Sequence, residues 1–264
     1  MLTIDTYLRP ESLEEAYEAA QKKNSVVLGG MMWLRLGNRR IGTAIDLSGL
    51  GLDQTEDTGD TWRIGAYTTL RTLETHKGLQ EEFHGVLGSS VSSIVGVQFR
   101  NLATVGGSVF GRYGFSDIIT TFLALDASVE LYRNGIVSLE DFCRMGNVKD
   151  ILTHIHLPKA PAAAAYYAQR NTAADFPVLN VCAVCRENTI TVTAGARPLR
   201  AVAYRFRTDA SVPAEEYAET IAGQMAENIV FASNTRASAE YRKHLCRVLV
   251  RRAVLDVLRK KETE

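Results

Sequence analysis

Two pairs of adjacent glycines stand where a chain could take hold of a phosphate. Gly29–Gly30 follows the apolar run SVVL and precedes MMWLRLGN. Glycine accepts positive φ and lets a backbone come close to a ligand. A helix starting after such a turn offers unpaired N–H groups and a partial positive charge. Glycine pairs are common in ordinary turns, so this one alone is a weak phosphate signal. The second pair lies in Ala103–Thr104–Val105–Gly106–Gly107–Ser108, where two hydroxyls flank the glycines and make a nest suited to a pyrophosphate. Nine residues beyond Ser108, Asp117 opens an apolar helix. It reads as a first-turn acid behind a Ser116 cap, and equally as a carboxylate accepting hydrogen bonds from ribityl or ribose hydroxyls. Both can hold at once.

Other chemistry finds little support. The cysteines are residues 143, 182, 185 and 246, and Cys182 and Cys185 form a CxxC. VLNVCAVCREN reads as a strand, however, in which residues three apart face opposite ways. No second CxxC follows at zinc or iron–sulfur spacing. These are read as ordinary buried thiols. His154 and His156 share one face of a strand without a third ligand nearby, which reads as an exposed strand face rather than a metal site. No metal site and no Ser–His–Asp or Cys–His arrangement is expected, and no side chain is assigned as a catalytic acid, base or nucleophile.

The elements that must position the glycines can be read along the chain. ESLEEAYEAAQKK is an amphipathic helix, with Leu13, Ala16, Tyr17 and Ala20 on one stripe. SVVL is a strand, MMWLRLGN a helical turn or short helix, and TAIDLS another strand, giving a βαβ-like start. GLDQTEDTGDTWRIGAYTTL reads as a hairpin, TLRTLETH and FHGVLGSSVSSI as helices, and FRNLATVGGSVFGRYGFSD as irregular. DIITTFLALDA is a helix, and SVELYRNGIVSLEDF a hairpin turning at Asn134–Gly135. ILTHIHLPKAP is a strand, and PKAPAAAA is the best linker candidate. Three strands around VLNVCAVCREN, TITVTAGA and AVAYRFRT then precede two helices, the last over about 234–260. On that last helix Tyr241, Leu245, Val248, Leu249 and Ala253 form the packing side, and Arg242, Arg247 and Arg251 a solvated basic side.

The 264 residues are 46% hydrophobic with a formal net charge of zero. That length suits one large domain or two moderate ones. A balanced charge gives no reason to expect nucleic acid or an anionic membrane as partner. The apolar runs are too short to span a bilayer, and MLTIDTYLRP carries no secretory h-region, so the cytoplasm is the expected location.

FRNLATVGGSVFGRYGFSDIITTFLALDASVEL resembles the flavin-binding segment of the FAD subunits of molybdopterin dehydrogenases, including carbon monoxide and xanthine dehydrogenases. VVLGG falls where that family has its first pyrophosphate turn. RIGAYTTL resembles its I-G-A-x-T-T strand and turn, and residues 234–254 its C-terminal R-A-S-A-E-Y-R signature. The resemblance implies an α+β fold. A two-lobed FAD-binding domain of the vanillyl-alcohol-oxidase/CO-dehydrogenase-flavoprotein type would occupy residues 1–158, with lobes about 1–52 and 53–158. A small α/β C-terminal domain would follow over 163–264. It also implies FAD between the lobes, and with no His or Cys in either glycine turn the attachment is expected to be non-covalent. Val26, Val27, Leu28, Gly29, Gly30, Met31, Met32 and Trp33 correspond to the first FAD-binding stretch. Ala103, Thr104, Gly107, Ser108, Phe110, Ser116 and Asp117 correspond to the second, with Ile94, Ile151 and Leu152 as further contacts. Iron–sulfur and molybdopterin-binding subunits are the implied partners, and NAD(P) is a candidate external acceptor.

The sequence departs from the family pattern after the first glycines. A small polar residue is usual there, whereas Met31 and Met32 follow here, and a thioether is only a weak acceptor. Ser108 replaces the usual Asn. The family's Lys after the linker is displaced, so Tyr167 or Arg170 would stand in. Arg112 is read as solvated, and Trp33, Tyr113 and Tyr167 as packing aromatics that could also neighbour a flavin ring. Two other readings stay open: a flavin-poor structural subunit of the same kind of complex, and a free-standing NAD(P)H-dependent flavin reductase.

Overall fold

The computed structural model describes residues 1–159 and 163–263. The chain begins with strand β1 (Thr3–Leu8), helix α1 (Leu13–Gln21), β2 (Ser25–Leu28) and β3 (Arg40–Asp46). Helix α1 starts where the Ser12 hydroxyl accepts the Glu15 N–H at 3.1 Å, and it buries Ala16 and Ala19. β1 and β2 both lie parallel to the central β3. β1 has no counterpart in the reading of the sequence, because TIDTYL is exposed over most of its length and shows no clean alternation. Between β2 and β3 the chain makes only a 3-10 turn, Leu34–Leu36.

A hairpin of β4 (Thr55–Asp57) and β5 (Thr61–Gly65) follows. Next come six short helices: α2 (Leu70–Thr75), α3 (Lys77–Glu82), α4 (Val86–Val91), α5 (Val97–Leu102), α6 (Val105–Phe110) and α7 (Asp117–Ala124). The stretch expected to be irregular therefore holds α5 and α6. Two glycines in α6 disfavour a helix by about 1 kcal/mol each relative to Ala. The Thr104 cap on the Gly107 N–H, at 3.2 Å, and tertiary contacts override that preference. Then come β6 (Ser128–Leu131), β7 (Gly135–Ser138), α8 (Leu139–Arg144) and β8 (Leu152–Pro158). The buried Asp150 carboxylate closes the β6–β7 turn by accepting the Arg133 and Asn134 N–H groups.

The C-terminal part contains β9 (Ala163–Arg170), β10 (Pro177–Arg186), β11 (Thr189–Gly195), β12 (Val202–Arg207), α9 (Ala214–Asn228) and α10 (Ala239–Thr263). The expected linker is shorter than PKAPAAAA. Residues 160–162 lie outside the described ones, and Ala163, Ala164 and Ala165 are buried in β9. Their small side chains let β9 pack closely, which composition alone reads as a break.

The chain forms two compact units. The first comprises Met1–Leu73, Val97–Gly111 and Ala127–Pro158, and the second Glu74–Gly96, Arg112–Asp126 and Lys159–Glu264. The first unit holds the β1-β3-β2 sheet and a five-stranded sheet ordered β4-β5-β8-β6-β7. The second holds an antiparallel sheet ordered β12-β11-β10-β9. Strand β10 is buried on both faces. Leu179, Val181, Ala183 and Cys185 join the core that α9 and α10 complete, while Asn180 faces Thr120 of α7. Cys182 and Cys185 thus diverge as expected of a strand, and burial pushes the Cys182 thiol up to about 12. No group of His, Cys, Asp or Glu among the described residues is arranged to hold a metal.

Candidate functional site

In the first unit the two glycine turns touch. A Cβ on Gly30 would lie 1.8 Å from the Leu102 carbonyl oxygen, and one on Gly29 would lie 2.9 Å from Thr104 Oγ1. A Cβ on Gly106 would lie 2.6 Å from that of Ala66. These glycines are therefore needed for the approach of one stretch of chain to another. That is a physical reason for the pattern which a ligand-only reading misses. RIGAYTTL completes the cluster: Leu70 N–H donates to Ala103 O, Val105 N–H to Thr68 O, and Gly106 N–H to Ala66 O, at 2.8–2.9 Å.

The donors of the two turns differ. In the second, the N–H groups of Val105, Gly106, Gly107 and Ser108 all donate within the protein. The Ser108 hydroxyl folds back onto Thr104 O at 2.9 Å. In the first, the N–H groups of Gly29, Gly30, Met31 and Met32 have no hydrogen-bond partner among the described residues, and neither has that of buried Thr104. Unpaired backbone donors in a partly buried turn are rare. Met31 adds backbone strain, with φ at 57°. A run of donors around a left-handed residue is the geometry in which chains hold anions, so this turn fits a pyrophosphate.

Tyr67 fixes the end of this cradle. Its hydroxyl donates to Leu28 O and accepts the Leu47 N–H at 3.0 Å, tying β2 to the residue after β3. Burial pushes its phenol up to about 12, so it stays a neutral donor. Sequence reasoning missed Tyr67, since its partners lie 39 and 20 residues away.

The other expected contacts are scattered. Val26 packs on Leu28, Ile41 and Ala44, as does Met31. Met32 is buried, whereas Val27 is 36% and Trp33 44% exposed. Phe110 packs its ring on Phe142, with centroids 5.9 Å apart. Ile151 belongs to the core around Ala16, Ile45 and Leu52, and the Leu152 side chain is buried. Ala103 is buried beside Thr104. Ile94, Ser116 and Asp117 belong to the second unit.

There Ser116 caps α7 by accepting the Ile119 N–H at 3.2 Å. Asp117 is buried, and its Oδ1 accepts the Tyr166 hydroxyl and the Asn180 amide at 2.9 Å. Arg170 Nη2 lies 2.8 Å from its Oδ2, at ion-pair distance but off hydrogen-bond alignment. Burial opposes the charge on Arg170, and Asp117 more than offsets this, raising the guanidinium's proton affinity. Burial and the Asp117 charge raise that of Tyr166 as well. Asp117 stands in the first turn of α7, and its carboxylate is taken up by side chains of β9 and β10.

Residues 2–160 match the family described as the FAD binding domain in molybdopterin dehydrogenase, and residues 164–257 match the CO dehydrogenase flavoprotein C-terminal domain. The chain belongs to the molybdopterin-dehydrogenase flavoprotein family. It is 26% identical over 289 residues to the xanthine dehydrogenase FAD-binding subunit of Escherichia coli O157:H7, covering 98% of this chain and 97% of that one. It is 24% identical over 272 residues to the nicotine 6-hydroxylase medium subunit of Paenarthrobacter nicotinovorans, covering 95% and 96%. In fold it is similar to a chain of quinoline 2-oxidoreductase from Pseudomonas putida 86, at a TM-score of 0.87, 17% identity and 97% coverage of both chains. A chain of the Cu,Mo-CO dehydrogenase gives a TM-score of 0.84 at 21% identity, covering 97% and 98%.

As a flavoprotein of this family, the chain is an oxidoreductase component with an FAD-binding domain. Its C-terminal signature proves structural. Arg242 is buried rather than solvated, and donates to Val178 O, Ala232 O, Ala237 O and Asn234 Oδ1. Arg247 and Arg251 both pair with Glu219 of α9. Tyr241, expected on the packing side, is 45% exposed. Arg242 turns inward and binds carbonyls of β10 and of the segment before α10.

His154 and His156 also need correction. Their face of β8 is covered by charge pairing: the side chains are only 14% and 15% exposed, and Glu130 Oε2 lies 3.4 and 2.9 Å from their ring nitrogens. Arg63 joins the same carboxylate at 3.3 Å. Burial, then Arg63, holds His154 below the ordinary histidine value. Burial acts to raise Glu130, but its bonds to Arg63 and His156 prevail and hold it low. Among the described residues, no helix is long and apolar enough to cross a membrane.

Proposed function

We propose that this chain is the non-covalent FAD subunit of a molybdenum hydroxylase complex. It would pass electrons from iron–sulfur clusters of a partner to an external acceptor, NAD(P) being the candidate. The observation that carries the proposal is the run of unpartnered N–H groups from Gly29 to Met32, held against the second motif. The names of two relatives, an FAD-binding subunit and a medium subunit, support assembly with other chains.

The bound isoalloxazine would supply the two-electron to one-electron redox chemistry. The chain's own residues orient and hold. The backbone N–H groups of Gly29, Gly30, Met31, Met32 and Thr104 would hold the FAD diphosphate. Tyr67 keeps the end of β2 in place, and Val27 and Trp33 offer exposed apolar surface beside the turn. No residue need move a proton for the flavin to be held.

A second reading has one observation in its favour. The second motif's donors and the Asp117 carboxylate are already engaged by the protein, which suits a flavin-poor structural subunit. The deciding experiment is visible absorbance of the purified chain, with acid release and identification of any flavin. About one FAD per chain supports the electron-transfer reading. A folded chain that stays colourless after incubation with excess FAD sinks it and leaves the structural subunit.

A further inference from the structure

The second unit contains a cavity of about 330 Å3 that the flavin reading does not use, walled by Phe115, Phe176, Pro198 and Leu199 with Asn234 and Arg236 at its side. Its walls are fixed. The Ala196 N–H donates to Gly114 O at 2.7 Å, and a Cβ on Gly114 would lie 2.3 Å from Leu199 O. The Phe115 and Phe176 rings meet edge to face with centroids 4.6 Å apart. The Arg236 guanidinium lies 4.9 Å from the Phe176 ring centroid.

Charge around this cavity is unbalanced. Arg236 pairs with Asp175 through Nη2 at 3.1 Å, yet its buried Nε has no hydrogen-bond partner among the described residues. Arg197, on the segment that forms one wall, donates only to the carbonyls of Arg200 and Val230. Arg242, behind the Asn234 loop, reaches three carbonyls and the Asn234 amide oxygen. Neither Arg197 nor Arg242 meets a carboxylate among the described residues, and burial lowers the proton affinity of both. Of these three guanidiniums only Arg236 meets a carboxylate among the described residues. Buried cations left with dipoles alone create a positive potential that low-dielectric walls focus into a cleft.

We propose that this cavity binds a small planar aromatic anion. The ring packs against Phe115 and Phe176 on one side and Pro198 and Leu199 on the other, and the anionic group pairs with the Arg236 guanidinium at the cavity's side. Aromatic faces supply area and geometry, and a charge-assisted bond to Arg fixes the orientation. The volume sits at the lower end of small-molecule sites, which suits one or two fused rings.

The test is isothermal titration of the full chain with 2-naphthoate, and with 2-naphthamide as its neutral isostere, each with and without saturating FAD. The carboxylate is expected to bind at a Kd below about 1 mM, and the amide about tenfold more weakly. Arg236→Gln should weaken 2-naphthoate about tenfold, and Leu199→Glu, at a residue 41% exposed, should abolish binding with the melting temperature held. The proposal is overturned by any of four results: no heat with folded protein, equal affinity for acid and amide, full affinity in both variants, or displacement by FAD. The last would put the probe in the flavin site.

Discussion

Gly29 to Met32 present backbone donors that none of the described residues takes up, whereas every N–H from Val105 to Ser108 is spent on the chain's own carbonyls and the Thr104 hydroxyl. Two turns with the same glycine doublet thus divide the work. One offers hydrogen bonds; the other holds shape. The Asp117 site goes further toward saturation, with its carboxylate meeting a phenol, an amide and a guanidinium. Unsatisfied donors mark where a ligand can add stability, and satisfied ones mark where the fold would lose it.

The largest effect should come from the saturated side. Asp117→Asn leaves Arg170 buried beside a neutral amide, its guanidinium only 9% exposed. Breaking one partner of a buried ion pair costs about 3–5 kcal/mol, whereas replacing both by apolar groups is near neutral. Urea unfolding should show that loss for Asp117→Asn, and only partial recovery in Asp117→Leu/Arg170→Met, because the Tyr166 hydroxyl and the Asn180 amide lose their acceptor as well. If the double variant, at matched folded fraction, takes up no FAD, Asp117 serves a ligand as well. If Asp117→Asn costs nothing, the saturated description is wrong.

Gly30→Ala is next. Its Cβ cannot fit 1.8 Å from Leu102 O, so Leu102 must move and open the contact between the turns. Overpacking of this kind costs about 1–3 kcal/mol. Gly107→Ala meets only its own Thr104 Oγ1, at 3.0 Å, so the structure should tolerate it. Comparing FAD content of the two variants at matched folded fraction separates shape from contact. Loss in Gly107→Ala alone would assign that Cα surface to the ligand.

Tyr67→Phe removes a hydroxyl that joins Leu28 O and Leu47 N–H. Leaving those groups unpaired should cost about 1–3 kcal/mol, read by thermal melting, with weaker FAD retention as the turn loosens. The same unit should soften in acid. Burial holds His154 low, so the folded chain binds that proton less readily than the unfolded one, and stability falls as pH drops through about 6.5. Glu130 is also held low; its contribution is present above about 4.3 and is lost as pH falls through its folded value. A melting temperature that does not fall from about pH 7.5 to 5.5, or falls equally in His154→Gln, would remove this histidine from the account.

What the sequence made legible was local. SVVL, VLNVCAVCREN and TITVTAGA became strands, DIITTFLALDA a helix, and Asn134–Gly135 a turn, because each carries its own period or turn chemistry. The glycine doublets were visible as special positions. That Gly30 and Gly106 meet backbone and Ala66 was not visible, because their partners come from distant segments. Helix α6 runs against glycine propensity and is held by the Thr68 and Ala66 carbonyls. Tyr67 and Asn180 were likewise illegible, since each acts through partners a long way along the chain, and Arg242 because a buried cation held by carbonyls leaves no pattern in the helix. Asp117 was legible as a special position, but its partners Tyr166, Arg170 and Asn180 lie 49 to 63 residues away and were not.

The smallest expected effect concerns the residue that most distinguishes the open turn. Met31 sits at φ 57°, a region that costs an L side chain about 1–2 kcal/mol and that Asn tolerates better. Its thioether side chain also packs on Leu28, Ile41 and Ala44. Met31→Asn would relieve the strain and lose the packing, so stability should change by less than about 1 kcal/mol in either direction. The amide adds a donor beside the unpaired N–H groups, so FAD should bind several-fold more tightly. Flavin titration followed by fluorescence quenching reads this directly. A gain in affinity at constant stability makes the methionine the element that weakens an otherwise open turn. Unchanged affinity would mean that the backbone donors already do all the holding. The side chain after the glycines would then be free to vary, so long as its residue can keep the left-handed backbone.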